Sequence, residues 1–370
     1  MLYILMMKIN KINIKIIKLD HELNESFLQF NISGDNINYV IINTLRRTIF
    51  SDIPIYAFSE IIIDRTLAEN RSVFHNNFIN LDLTNFTVWG IENNIDFIDN
   101  DDNDDNDNDN DNDNDNDNDN DNNNDNDNDN DNDNDNDNDN DNEFLPHQDE
   151  NNKSSLNELT MYVNYKNKTN NTFTITTEHA KFYYKQNQID SPYINPSIIT
   201  KLNPNREISF SAITKIGTEE RNGTMYSAVT VCFYKEINKN EFEFELQSRG
   251  QITELRIIHV AIINIKKKLR NFSKLIKNNN DINETNIGEI LINNEDHTLG
   301  NLISRGLQFH DKIIFAGYNK PHPLIKTINL HYNKKNKNDN IKDIIQDVIQ
   351  YNIELYNEIL QQIKKKCKSF

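Results

Sequence analysis

Residues 99–142 contain nothing but Asp and Asn, 44 positions of which 22 are Asp. With no apolar side chain to bury and a charge on about every second residue, the run cannot offset the entropy of ordering, so a solvated, disordered insertion is expected. Any core must therefore come from the flanks. Removing the tract's 22 negative charges turns the chain's formal −19 into +3, a mildly basic remainder of 326 residues. The hydrophobic fraction rises to about 41 % of that remainder, in the range of a globular chain and enough for two or three domains. Asp at alternate positions invites a calcium reading, but an EF-hand loop also needs Gly at its sixth position and Glu at its twelfth, and the tract has neither. A DNA-mimicking acidic segment is the remaining functional reading, and inert repeat expansion is the default.

Two cysteines, Cys232 and Cys367, stand far apart with no CxxC pair, which excludes a disulfide framework or a structural zinc site and fits a reducing compartment. The apolar start, 1–7, lacks a preceding basic region and a small-residue cleavage site, so it reads as a poor signal peptide, with Met6 or Met7 as alternative starts. No stretch approaches the length of a membrane span. A soluble intracellular protein is expected.

Alternation over 8–19 places Ile12, Ile14 and Ile16 on one side of a half-buried strand. A second strand is expected over 27–32. Apolar residues at helical spacing predict a helix over 37–51, with Asp35 as candidate cap and Pro54 beyond its end. The run 60–64, with Ile61, Ile62 and Ile63, reads as a buried strand. Between 157 and 235, short runs at 173–177, 207–213 and 226–233 separated by Asn, Pro and Gly predict a β-rich unit.

From residue 252 the period changes. Leu255, Ile258, Ile262, Ile265, Leu269 and Phe272 follow steps of 3, 4, 3, 4 and 3, a helical seam that needs another helix to cover it. Polar residues 278–285 read as a linker. Beyond them come a strand over 287–292, a short helix opened by Asp296, a β-rich stretch to His331, and a long helix from near Ile341. The last carries Ile345, Val348, Tyr351, Leu355, Ile359 and Ile363 on one face and Lys364, Lys365 and Lys366 in its final turn, where cations suit the helix dipole. Each half thus offers a strand, a short helix and a long apolar-faced helix, which suggests internal pseudo-symmetry.

Catalytic motifs are missing: there is no Walker A loop, GxGxxG, GxSxG or HExxH. The one dyad to test, Asp296 beside His297, is better read as a helix cap next to a hydrogen-bonding imidazole than as an acid/base pair. Asn43, Arg46 and Arg47 form the most basic point of the first helix. Neighbouring helical residues lie about 100° apart, so both Arg cannot face one partner squarely, and a solvated charged face is the bland reading. Basic residues are not gathered in the sequence into long patches with interleaved aromatics, so autonomous nucleic-acid binding is not expected. Sequons such as that at 70–72 are what an Asn-rich chain yields by chance. The residues alone point to a non-enzymatic assembly scaffold.

The segment NTLRRTIFSDIP at 43–54 resembles the N-x-L-R-R helix and following Pro of the α subunit of bacterial RNA polymerase, the archaeal D subunit and the third-largest subunit of eukaryotic RNA polymerase II. FEFELQSRGQI at 242–252 and its long helix resemble that family's strand, Gly turn and dimerisation helix. NEDHTLGNL at 294–302, FAGY at 315–318 and PHPL at 321–324 are similar to the signature of the small α-like partner, the archaeal L and eleventh RNA polymerase II subunits. The signature residues are Glu295, Asp296, His297, Thr298, Phe315, Ala316, Gly317, Tyr318, Pro321, His322 and Pro323. The chain therefore resembles the two α-like subunits fused into one polypeptide, as in large DNA viruses of eukaryotes. It departs from the family at Asp82 and Thr87, where an Arg and then a Pro are usual.

The resemblance implies an α+β fold with two α-like dimerisation domains. The first, 8–61 and 223–277, would be split by an inserted β-rich domain, 62–222, and the second would span 286–367. It implies a dimerisation interface of Leu45, Leu255, Ile258, Ile262, Ile265, Leu269, Phe272, Leu299, Gly300, Leu302, Val348, Leu355 and Ile359, with Gly300 and Gly306 allowing close backbone approach. Fusion would give the halves an effective concentration up to about millimolar. Asn43, Arg46 and Arg47 would help dock the two large catalytic subunits, and internal pairing would replace a separate partner chain. No cofactor is implied, and no metal, since the inserted region lacks the cysteine cluster of some relatives. The host cytoplasm, its viral factory and the virion are the expected locations. The rival reading is a free-standing acidic module of histone-binding or DNA-mimic type.

Overall fold

The computed structural model describes residues 12–20, 26–63, 76–88, 159–185, 187–193, 195–278 and 285–368. These all lie within one compact unit, while 96–156, including the Asp/Asn tract, falls outside the described residues, as do the start 1–7, the sequon at 70–72 and most of the expected linker.

The mixed α+β chain begins with strands β1 (Asn13–Asp20) and β2 (Phe27–Ser33), helix α1 (Tyr39–Ser51) and strand β3 (Ile55–Ile63). Helix α2 (Asn76–Thr84) follows, then strands β4 (Leu159–Lys166), β5 (Phe173–Thr176), β6 (Ala180–Tyr184), β7 (Asn187–Ile189), β8 (Ile198–Leu202) and β9 (Glu207–Gly217). After the single-turn helix α3 (Glu219–Asn222) come β10 (Val229–Asn238), β11 (Glu241–Ser248) and the long α4 (Glu254–Asn278). The C-terminal part holds β12 (Ile287–Asn293), α5 (His297–Phe309), β13 (Ile313–Asn319), β14 (Thr327–Lys334) and α6 (Ile341–Cys367).

One antiparallel sheet has the order β1-β2-β11-β10, so β2 pairs directly with a strand 208 residues later, Ser33 opposite Glu241. Ile12, Ile14 and Ile16 are buried on its inner side with Leu28, Phe30, Ile32, Phe242, Phe244 and Leu246. Helices α1 and α4 cover that side, α1 against β10 and α4 against β11. The C-terminal sheet, β12-β14-β13, carries α5 on one side, while α6 packs on α4, on α5 and on β1 of the N-terminal sheet. The short helices α1 and α5 each have 13 residues, and the long ones have 25 and 27.

Two expectations are corrected here. Helix α1 is capped by Asn38, not Asp35: the Asn38 Oδ1 accepts from the backbone N–H of Val40 at 2.9 Å and of Ile41 at 3.4 Å. The buried part of β3 is Ile55–Phe58 rather than the Ile61–Ile63 run, where Ile62 is 55 % exposed. Strand β3 pairs with β9 along its length in the five-stranded sheet β3-β9-β4-β6-β7. Pro54 is the natural break between the two sheets, since its ring ends the helix and releases the chain in an extended conformation.

The corner before α4 holds the two sheets to each other. The Gln251 side-chain amide acts as a strand would, donating to the Tyr56 carbonyl at 2.8 Å and accepting from its N–H at 2.7 Å. Arg249 donates to the carbonyls of Met225, Ser227 and Asn85. Gly250, with φ of 90°, makes the left-handed turn between them. Buried Glu254 accepts from the Ser248 N–H at 3.1 Å, and Lys334, also buried, donates to the Asp339 carbonyl at 2.6 Å in the loop that starts α6.

Candidate functional site

The face shared by the N-terminal part (12–278) and the C-terminal part (285–368) is built from four helices. Helix α4 packs on α6, α1 on α5, and α5 on α6. Ile258, Ile262, Ile265, Leu269 and Phe272 are buried, and Ile276 extends the seam by one more step of four. Leu255 is a correction: it is half-buried, and Ile257 and Ile258 take the buried positions of that first turn. On α6, Ile341, Ile345, Val348, Leu355, Ile359 and Ile363 are buried, while Tyr351 is half-buried. Leu45 on α1 and Leu299 and Leu302 on α5 are buried as well. Each such aliphatic side chain contributes about 1.5–3 kcal/mol on leaving water.

Two glycines of α5 allow close approach within the C-terminal part, rather than across the shared face. A Cβ at Gly306 would overlap the side chain of Val348 on α6, and one at Gly300 would lie 2.6 Å from the Tyr318 ring on β13. Polar contacts fix the register of α6. The Tyr356 hydroxyl, fully buried, donates to the Ile41 carbonyl at 3.0 Å, and Asn36 donates to the Tyr351 hydroxyl at 2.7 Å. Ser273 on α4 and Gln346 on α6 bond twice. Tyr356, Asn36 and Gln346 carry no signal in the sequence, because a seam read by apolar spacing passes over them.

A band of charge runs along the edge of this face. Asn294, at φ of 61°, turns the chain between β12 and α5 and presents Asp296 as the α5 cap, accepting from the Thr298 N–H at 2.8 Å. The same carboxylate pairs with Arg47 of α1 at 3.0 Å. Burial raises the Asp296 pKa, but the Thr298 bond and the Arg47 charge outweigh it and hold the carboxyl below its usual value. Asp52, at the end of α1, pairs with Lys268 of α4 at 2.8 Å, and Glu220 of α3 pairs with Lys326 of the C-terminal part at 2.7 Å. Burial drives Asp52 upward against the pull of Lys268. Glu220, which burial alone would raise, is held down by Lys326, Lys268 and Asp52. Burial pushes Glu295 up to about 7, with Lys268 opposing and Asp296, Glu220 and Asp52 adding to the rise.

The docking candidates sit on the same helix with inward commitments. Arg46 donates its Nε to the Cys232 carbonyl at 3.2 Å, reaches Asn43 Oδ1 at 3.4 Å and lies over the Phe50 ring. Arg47 turns the other way, to Asp296, and its side chain remains 43 % exposed. His297 does not join Asp296 in a dyad facing a shared position: its Nδ1 lies 3.3 Å from the Tyr318 hydroxyl. Of the signature, Ala316 is buried, Phe315 is largely exposed, and Pro321, His322 and Pro323 form an exposed turn in which His322 Nδ1 accepts from the Leu324 N–H. Among the described residues no group of His, Cys, Asp and Glu is arranged to hold a metal, and no helix is long and apolar enough to cross a membrane.

The stretch from β12 to α6 matches a family model. Residues 288–362 fit the model of the RNA polymerase Rpb3/Rpb11 dimerisation domain. Over 314 residues, 82 % of this chain and 81 % of the other, the sequence is 25 % identical to a protein of Acanthamoeba polyphaga mimivirus named as a DNA directed RNA polymerase subunit. The chain is thus similar over most of its length to a viral RNA polymerase subunit, and over 288–362 to the Rpb3/Rpb11 dimerisation domain. Two shorter relatives match this chain in part. The DNA-directed RNA polymerase II subunit rpb11 of Dictyostelium discoideum is 35 % identical over 75 residues, 20 % of this chain and 62 % of that one. The subunit Rpo11 of Saccharolobus shibatae is 49 % identical over 45 residues, 12 % of this chain and 49 % of that one. Less than two thirds of either short relative is spanned.

Proposed function

We propose that this chain is a non-catalytic assembly subunit of a viral DNA-dependent RNA polymerase, an intramolecular α-like heterodimer on which the two large catalytic subunits assemble. The observation that carries the reading is the packing of α4 on α6 and α1 on α5, two strand–helix–long-helix units in one chain, one of them coincident with the dimerisation-domain match. In this reading the inserted β-rich domain begins at β3, after Pro54, and the second α-like domain spans 286–367. The halves bury each other's seams, so nucleotide addition and its metal belong to the large subunits. Asn43, Arg46 and Arg47 contribute to large-subunit docking, Arg47 through the part of its guanidinium left exposed beside Asp296. The assembly works in the host cytoplasm and its viral factory.

The test is affinity purification of the tagged chain from cells in which it is natively expressed, at about 0.3 M salt so that weak contacts of the acidic tract are screened. Two large polymerase subunits in near-equal amount are expected. Recovery of the chain alone, or with histone-like basic proteins only, overturns the reading in favour of an acidic interaction module.

A further inference from the structure

Helix α4 is charged unlike any other long element of the fold. Its 25 residues carry seven cations, Arg256, Lys266, Lys267, Lys268, Arg270, Lys274 and Lys277, against the single acid Glu254, which is buried. Helix α6, of nearly equal length and packed beside it, carries four Lys and four acids and is neutral. Lys268 is spent on Asp52 at the edge of the pairing face. Lys267, Arg270, Lys274 and Lys277 are all exposed and follow steps of 3, 4 and 3, which at about 100° per residue confines them to one arc of about 80°. They form a straight ridge about 15 Å long at 1.5 Å per residue. Read in the sequence these cations look interrupted, by Leu269, Phe272 and Ile276, but those are the buried seam on the opposite side.

We propose that this ridge is a contact surface for the phosphate backbone of nucleic acid, sequence-independent and salt-sensitive. Three observations select that partner. The apolar side of α4 is consumed by packing on α6, α1 and β11, so the helix cannot lay it into a lipid surface. Within its own arc the ridge carries no aromatic or aliphatic anchor of the kind a protein partner would need at its centre; the exposed Leu275 lies about 80° round the helix, outside the arc. A line of cations of one sign, without stacking rings, suits phosphates and offers nothing to read bases. The contact does not depend on the polymerase reading, since it is a property of this chain alone.

The test is fluorescence anisotropy of a labelled 30-base-pair duplex titrated with the full chain between 50 and 200 mM salt. Four phosphate contacts predict a slope of log K against log salt of about −3.6, which is a loss of about 150-fold across that range. The combined variant Lys267→Gln, Arg270→Gln, Lys274→Gln, Lys277→Gln should flatten the slope toward zero while its thermal melt stays that of the parent. The conservative variant Lys267→Arg, Lys274→Arg, Lys277→Arg should bind as the parent does, and serves if the first variant folds poorly. No duplex binding at 50 mM salt, an unchanged slope in the glutamine variant, or binding to polyglutamate but not to the duplex overturns the proposal.

Discussion

The two strand–helix–long-helix units share an apolar plan and diverge in their polar residues. Both start a 13-residue helix from an Asx cap, but Asn38 on α1 serves only its own helix, whereas Asp296 on α5 also takes Arg47 from the other unit. Both present a buried seam on a long helix, yet α4 is strongly cationic outside that seam and α6 is neutral. A third difference lies in the connections: β13 and β14 follow α5 directly, while the chain makes a five-stranded sheet between α1 and β10. Apolar seams provide most of the adhesion but are poor at telling one partner from another. Pairing of unlike halves, in a single register, rests on the polar residues where the plan is broken.

That contrast can be broken most severely at the shared seam. Ile262→Ala on α4 and Leu355→Ala on α6, both fully buried, should each cost about 2–5 kcal/mol in urea denaturation. If one is several-fold cheaper than the other, the two long helices are not equivalent. Next comes Gly306→Val, which forces a side chain into Val348 and should destabilise by about 1–3 kcal/mol by overpacking. Gly300→Ala should cost less, because the half-exposed Tyr318 ring can turn aside.

The caps sharpen the comparison. Asn38→Ala and Asp296→Ala should each lose about 1 kcal/mol of helix capping, and Asp296→Ala should lose a further 0.2–1 kcal/mol or so for the partly exposed Arg47 pair. Arg47→Ala should therefore add nothing in the Asp296→Ala background, and the excess should fade in high salt, read from thermal melts at two ionic strengths. The smallest effect concerns Glu295. Its folded pKa of about 7 lies above its ordinary 4.5, so the folded state holds a proton that the unfolded chain has released. The stability this gives is fully present below pH 4.5 and is lost as pH rises to about 7. Glu295→Gln should match the parent in acid and exceed it above neutrality by about 1 kcal/mol or less after solvent screening.

Legibility in the sequence followed from the range of the forces involved. Elements set by local periodicity, such as β2, α4 and α6, fall within a few residues of their expected bounds, because a 3-4 or alternating pattern is visible in one window. The α1 cap lies three residues beyond the one its sequence suggests because Asp35 and Asn38 are both good caps, and only the backbone geometry chooses between them. The Ile61–Ile63 run looked like core because three Ile are usually buried, yet β3 buries its earlier half where the sheet meets the α4 corner. The buried aliphatic positions of α4 and α6, Leu255 apart, follow the helical spacing visible in the sequence. The polar contacts do not, since Arg47 and Asp296, or Ile41 and Tyr356, are brought together from 249 and 315 positions apart with no local mark on either.

The pairing of β2 with β11 sets a timetable for synthesis. Ser33 waits for Glu241, 208 residues later, and at a ribosomal pace of about 5–20 residues per second that is an interval of about 10–40 s. During it the nascent β1–β2 hairpin shows water its apolar row and an unpaired strand edge, the features that draw other chains into aggregates. A cell making this protein must shelter that hairpin until the ribosome delivers its neighbour, so yield should respond to elongation rate and chaperone supply well before it responds to the stability of the finished fold.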